Sequence, residues 1–71
     1  MILIDEINKV HNQIKAKNFK EAIERCNKLI KKFPNNSYLC NLAGLACQQS
    51  QNIKASINYF QRSIDIDPKN H

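Results

Sequence analysis

The two prolines of this chain, Pro34 and Pro68, stand 34 residues apart. A fixed period of that length marks a repeated helix-turn-helix unit. With the second half laid on the first at this offset, Asn18 meets Asn52, Lys20 meets Lys54 and Ile23 meets Ile57. Ile30 then meets Ile64, and Asn36 meets Asn70. Between these identities fall Phe19 with Ile53, Ala22 with Ser56, Cys26 with Phe60 and Lys28 with Arg62. The matches cluster in one segment and share its helical phase. That is more order than a chain rich in Asn, Lys and Ile gives by chance.

Two such units fill 68 of the 71 positions, so almost nothing is left for a separate catalytic domain. The reading is one domain over residues 1–71, with repeat one at about 3–36 and repeat two at about 37–70. A chain this small buries only about 60% of its unfolded surface. No run approaches the roughly 18 apolar residues of a membrane span. The first residues, Met1-Ile2-Leu3-Ile4-Asp5-Glu6, lack the basic leader and long apolar core of a secretory signal. Cys26, Cys40 and Cys47 are an odd number with no metal-ligand spacing. They read as buried thiols in a reducing, cytoplasmic compartment.

The net charge of +5 is uneven: +4 falls through Pro34 and +1 after it. A solvated lysine face is the common reason for such a bias, and a partner with acidic groups is the other.

Helical periodicity accounts for the rest of the pattern. Leu3, Ile7, Val10 and Ile14 recur at steps of four, three and four, which is an amphipathic stripe. This first helix is expected to end near Ala16-Lys17-Asn18, with Asn18 taking a left-handed turn. The second is expected over about Phe19 to Lys32, with Glu21 and Glu24 early and Lys31 and Lys32 late, as the helix dipole prefers. Its apolar positions are Phe19, Ala22, Ile23, Cys26, Leu29, Ile30 and Phe33. Pro34 disfavours helical geometry at Phe33 and closes it. Asn35-Asn36-Ser37 supplies caps for a third helix from about Tyr38 to Ser50. A fourth is expected from about Ile53 to Ile66, stopped by Pro68. No alternating stretch suggests a strand, and short connections favour antiparallel neighbours.

These residues resemble the tetratricopeptide repeat, whose pattern is Trp-x2-Leu-Gly-x2-Tyr, then Ala-x3-Phe, then Pro. Repeat two offers Cys40-x2-Ala43-Gly44-x2-Cys47, Ser56-x3-Phe60 and Pro68; repeat one offers Ala22-x3-Cys26 and Pro34. The resemblance implies an all-α fold of two helix-turn-helix hairpins, four antiparallel helices in a short right-handed solenoid. Gly44 is the only glycine. A helix keeps one at a cost of roughly 1 kcal/mol when another helix backbone comes close. Phe60 is then the residue that fills its hairpin. Glu6, Lys9 and Gln13 depart from the pattern in repeat one. Either the first helix is rotated, or its polar face is acceptable because nothing stacks on it.

No residue set points to catalysis, a cofactor or a metal. His11 has no serine or acid at a supporting spacing, and Asp5-Glu6 and Asp65-x-Asp67 suit helix ends. One glycine cannot build a phosphate loop. RNA binding through the basic first repeat ranks behind protein binding. Only Phe19 and Phe33 interleave its lysines, and both are expected in the core.

By the resemblance, the function is that of a non-enzymatic protein-protein interaction module, with a peptide or partner helix held in a concave groove lined by the first helix of each repeat. Its candidates are Ile4, Ile7, His11 and Lys15, with Tyr38, Asn41, Leu45, Gln48 and Gln49. Family members that grip a terminal carboxylate use Lys and Asn where this chain has Ile7 and His11. A more apolar groove, suited to an aliphatic side chain, is therefore expected. The alternative is self-association, or service as the terminal scaffold module of a larger protein. Three residues follow Pro68, too few for the polar capping helix with which such solenoids end. Ile57, Phe60 and Ile64 are expected to face the hairpin partner and Tyr59 and Ile66 to point elsewhere. That assigns Tyr59 and Ile66 to a two-fold homodimer contact.

Overall fold

A computed structural model describes residues 3–68. Four helices follow one another: α1 Leu3–Lys15, α2 Phe19–Lys32, α3 Ser37–Gln49 and α4 Ile53–Ile66. No strand occurs among the described residues. Asn70, the equivalent of Asn36, and His71 lie outside the described residues.

Each boundary has a local cause, and the causes recur at the 34-residue offset. Lys17 and Gln51, equivalent positions, both take a left-handed backbone, with φ of 64° and 68°. Around each, two backbone bonds close the preceding helix. Lys17 N–H donates to Ile14 C=O at 3.0 Å and Asn18 N–H to Gln13 C=O at 2.8 Å. Gln51 N–H donates to Gln48 C=O at 3.0 Å and Asn52 N–H to Cys47 C=O at 2.8 Å. This is the paired-bond motif that satisfies the last carbonyls of a helix. The left-handed residue is therefore Lys17 and not Asn18, because the motif puts it one position earlier and leaves the Asn to begin the next helix.

The starts of α3 and α4 are capped by side chains, whereas Asn18 makes no such bond at the start of α2. Asn36 Oδ1 accepts from Tyr38 N–H at 3.0 Å and Leu39 N–H at 3.3 Å, and Asn52 Oδ1 accepts from Ala55 N–H at 3.4 Å. These bonds satisfy amides that have no partner within the helix. At the far ends, Phe33 and Asp67 leave helical geometry, with ψ of 69° and 84°. Each precedes a proline, whose ring clashes with a helical residue before it. Phe33 is 40% exposed, a correction to its expected core place. As the residue beyond the last turn, it has left the apolar stripe.

Helix α3 is the centre of the molecule, packed against both α2 and α4, while α1 packs on α2 and touches α3. It accordingly buries the most residues, among them Leu39, Cys40, Leu42, Ala43, Gly44, Ala46 and Cys47. From the other helices the core takes Ile7, Val10, Ile14, Ala22, Cys26, Leu29 and Ile30.

Gly44 serves a close approach, but the neighbour is the Phe60 ring and not a backbone. Ser56 and Ser63 are buried polar residues on α4, and both are satisfied. Ser56 Oγ donates to Ile53 C=O at 2.7 Å, and Ser63 Oγ to Ser37 C=O at 3.1 Å.

The fourth helix is turned differently from the expectation. Ile57 and Ile64 do not face the hairpin: they are 60% and 40% exposed. Tyr59 and Ile66, expected to point away, are half-buried and packed against the core. Tyr59 Oη donates to Asn27 Oδ1 at 2.6 Å, which ties α4 to α2.

Candidate functional site

Helices α1 and α3 are the first helices of the two repeats, and one polar contact joins them directly. His11 Nε2 lies 2.8 Å from Tyr38 Oη. The rings stand 6.1 Å apart, centroid to centroid, tilted by 50°. Tyr38 occupies the first turn of α3, held by the Asn36 cap at its own N–H. His11 is half-buried, with one ring nitrogen committed to Tyr38.

Helical spacing arranges the other candidates along the same side. On α1, Ile4, His11 and Lys15 fall at intervals of seven and four; on α3, Tyr38, Asn41, Leu45 and Gln48 fall at three, four and three. Such intervals keep side chains on one helix face. Ile4 and Tyr38 are exposed although they are large and apolar or aromatic. Lys15, Gln48 and Gln49 are exposed, and Asn41 and Leu45 are half-buried. Leu45 also packs against the core.

Ile7 is a correction. It is buried and belongs to the core cluster, so it cannot present its side chain to a ligand. Its place in the α1 stripe with Val10 and Ile14 turns it towards α2 and α3 and away from solvent. The face is left with the exposed side chains of Ile4 and Tyr38, one imidazole, one ammonium at Lys15 and the three side-chain amides of Asn41, Gln48 and Gln49.

A second polar cluster was not legible in the sequence. Arg25 of α2 reaches across to α1, where its Nη1 lies 3.3 Å from Glu6 Oε2 and its Nε donates to Gln13 Oε1 at 3.3 Å. Lys9 Nζ also lies 3.2 Å from Glu6 Oε2. Glu6 and Gln13 thus occupy the hairpin contact of repeat one as hydrogen-bonding groups where the repeat pattern has bulky ones. Beside them is an open cavity of about 320 Å³ lined by Glu6, Arg25, Lys28, Leu29, Lys31 and Lys32. It shares no residue with the α1–α3 face.

The three thiols are buried and free. Burial pushes the Cys26 thiol up to about 12 from the model-compound value of 9.0, with the nearby Cys47 and Cys40 adding to the rise. Burial also raises Cys40, partly offset by Arg62, and Cys47. Neutral thiols are the outcome, poor both as nucleophiles and as ligands. Among the described residues, no three His, Cys, Asp or Glu side chains are placed to hold a metal ion. No helix among them is long and apolar enough to cross a membrane.

A family model described as tetratricopeptide repeat matches residues 37–70. Comparison with curated proteins and with solved structures gives no match. Residues 37–70 carry the family's repeat, and the preceding hairpin has the same turns and proline stops one period earlier. Residues 37–70 are thus a tetratricopeptide repeat, and the four-helix arrangement fits two such repeats in tandem.

Proposed function

We propose that this chain is a non-enzymatic protein-interaction module whose α1–α3 face holds an extended peptide or a partner helix. Tetratricopeptide repeats generally mediate protein-protein interactions, which supports the class. The observation that carries the reading here is the bond between His11 and Tyr38. It links the first helices of both repeats and so fixes the spacing of the two walls before a ligand arrives. Preorganisation of that kind lowers the ordering cost of binding.

The chemistry of the face favours a ligand with an aliphatic side chain. Ile4 and Tyr38 offer it an exposed apolar seat. Asn41, Gln48 and Gln49 supply donors and acceptors suited to a peptide backbone, and Lys15 offers a cation to an acidic flank. A grip on a terminal carboxylate is a poorer fit. Ile7 is buried, and His11 is already bonded to Tyr38. A cytoplasmic setting suits three free thiols.

The test is a peptide selected against the folded chain from a random display library, titrated by fluorescence polarisation. Tyr38→Ala and the paired change Gln48→Arg with Gln49→Arg should each weaken binding about tenfold or more, as loss of a central contact does. Unchanged affinity in both variants, with native circular dichroism, would reject the α1–α3 face. Affinity for an RNA oligomer that falls steeply with salt would instead favour the lysines of repeat one.

A further inference from the structure

Helix α4 leaves a stripe uncovered. Ile53, Ile57 and Ile64 are 52%, 60% and 40% exposed, with half-buried Phe60 between the last two. The period of 34 residues makes Phe19, Ile23, Cys26 and Ile30 of α2 their equivalents. On α2 that stripe is covered: Cys26 and Ile30 are buried, and Phe19 and Ile23 pack against the core. Helix α3 packs against α2, and Leu39, Leu42 and Ala46 are among its buried residues. The surface that repeat one buries is therefore largely exposed in repeat two, with Phe60 alone held half-buried against Gly44.

This chain itself offers two surfaces that could cover it. In a head-to-tail stack, α1 of another copy would lie on α4 as α3 lies on α2. At the positions equivalent to Leu39, Leu42 and Ala46, however, α1 carries Asp5, Asn8 and Asn12, all exposed. Pressing these against isoleucines would bury polar groups without partners, which is costly. The stripe of α4 itself is the apolar surface that fits. Its steps of four, three and four are those of a helix-pairing seam.

Charge selects the direction. Lys54 flanks the start of the stripe and Asp65 its end. An antiparallel pair brings Lys54 of one copy towards Asp65 of the other, whereas a parallel pair sets like on like. The positive charge of the chain is concentrated before Asn35, away in sequence from this helix.

We propose that α4 is a dimerisation helix, with two copies pairing antiparallel about a two-fold axis through Ile53, Ile57, Phe60 and Ile64. The contact uses no residue of the α1–α3 face, so it stands apart from the peptide-binding reading. It also replaces Tyr59 and Ile66, whose side chains pack inwards, as the contact residues.

Sedimentation equilibrium of the full chain across about two decades of concentration tests the proposal, with Ile57→Lys, Asp65→Lys and the swap Lys54→Asp with Asp65→Lys as variants. The expected result is a dimer whose dissociation constant rises about tenfold or more in Ile57→Lys. Asp65→Lys should weaken it less, and the swap should restore it. A monomer at every concentration with native circular dichroism would overturn the proposal and leave the stripe to a helix of another protein. So would larger open assemblies, or a dimer indifferent to Ile57→Lys. If Ile57→Lys fails to fold, the charge swap decides alone: a dimer that Asp65→Lys does not weaken is not the one described.

Discussion

Gly44 lies so close to Phe60 that a Cβ on it would stand 2.6 Å from the ring's Cε1 and 2.8 Å from Cδ1. Non-bonded carbons do not approach that closely, so the ring occupies the space a side chain would need. The equivalent pair in repeat one is Val10 and Cys26, both fully buried. The two hairpins thus divide similar volume in opposite ways: nothing plus a ring in one, a branched side chain plus a thiol in the other.

This relationship predicts coupling. Gly44→Val should destabilise by about 1–3 kcal/mol through overpacking. Phe60→Cys should cost about 2–3 kcal/mol through lost burial and an unfilled space. The double variant, which writes the repeat-one pair into repeat two, should cost at least about 1 kcal/mol less than the sum. Thermal or urea unfolding of the four proteins measures this. Simple additivity would mean that the two positions do not share their volume.

The left-handed turns are strained sites of ordinary residues. Lys17→Gly and Gln51→Gly should each stabilise by about 0.5–1 kcal/mol, because glycine adopts this backbone without the Cβ clash. Asn18→Gly, one residue on, should not stabilise, since that position has negative φ, at −86°. Urea midpoints compare the three directly.

Buried thiols link stability to alkaline pH. The folded-state pKa of Cys26 is raised to about 12 from 9.0, so the unfolded chain loses its proton first. Its contribution is complete below pH 9 and is lost as the pH rises towards 12, at up to about 1.4 kcal/mol per unit. Cys26→Ala should lower stability at neutral pH but flatten its decline above pH 9. The same burial predicts slow native labelling of Cys26 by a thiol reagent and fast labelling in urea. An identical alkaline slope in wild type and variant would contradict the assignment.

The Glu6–Arg25–Gln13 cluster stands in for the bulky contacts of the repeat pattern. Glu6 has a side chain only 13% exposed, against 35% for Arg25. Arg25→Ala should therefore destabilise by about 1–2 kcal/mol, more than an exposed ion pair is worth, since it leaves Glu6 in a partly dry site with only the exposed Lys9 and also removes the bond to Gln13. Unfolding of that variant beside Lys9→Ala, which should change stability by less than about 0.5 kcal/mol, separates the two partners of Glu6.

Helix order and ends were legible because prolines and asparagines mark them locally. Pro34 and Pro68 expel the residues before them, and Asn36 and Asn52 cap the starts; α3 begins one residue earlier than expected, at Ser37. Which way α4 turns was not legible. It is apolar on two sides, and periodicity cannot say which side the hairpin covers. Two contacts distant in sequence decide it: Phe60 against Gly44 and Tyr59 on Asn27. Ile7 was misplaced for a similar reason, lying at the border between groove and core. Arg25 gave no signal at all, because its partners are 19 and 12 residues away and carry no periodic mark.

The central claim is that the α1–α3 face is the working surface. Amide chemical-shift mapping of the isotopically labelled chain during titration with a selected peptide tests it most directly. The account predicts shifts concentrated at Ile4, His11, Lys15, Tyr38, Asn41, Leu45, Gln48 and Gln49, with α4 unmoved. Shifts confined to Arg25, Lys28, Lys31 and Lys32, or to the exposed isoleucines of α4, would contradict it.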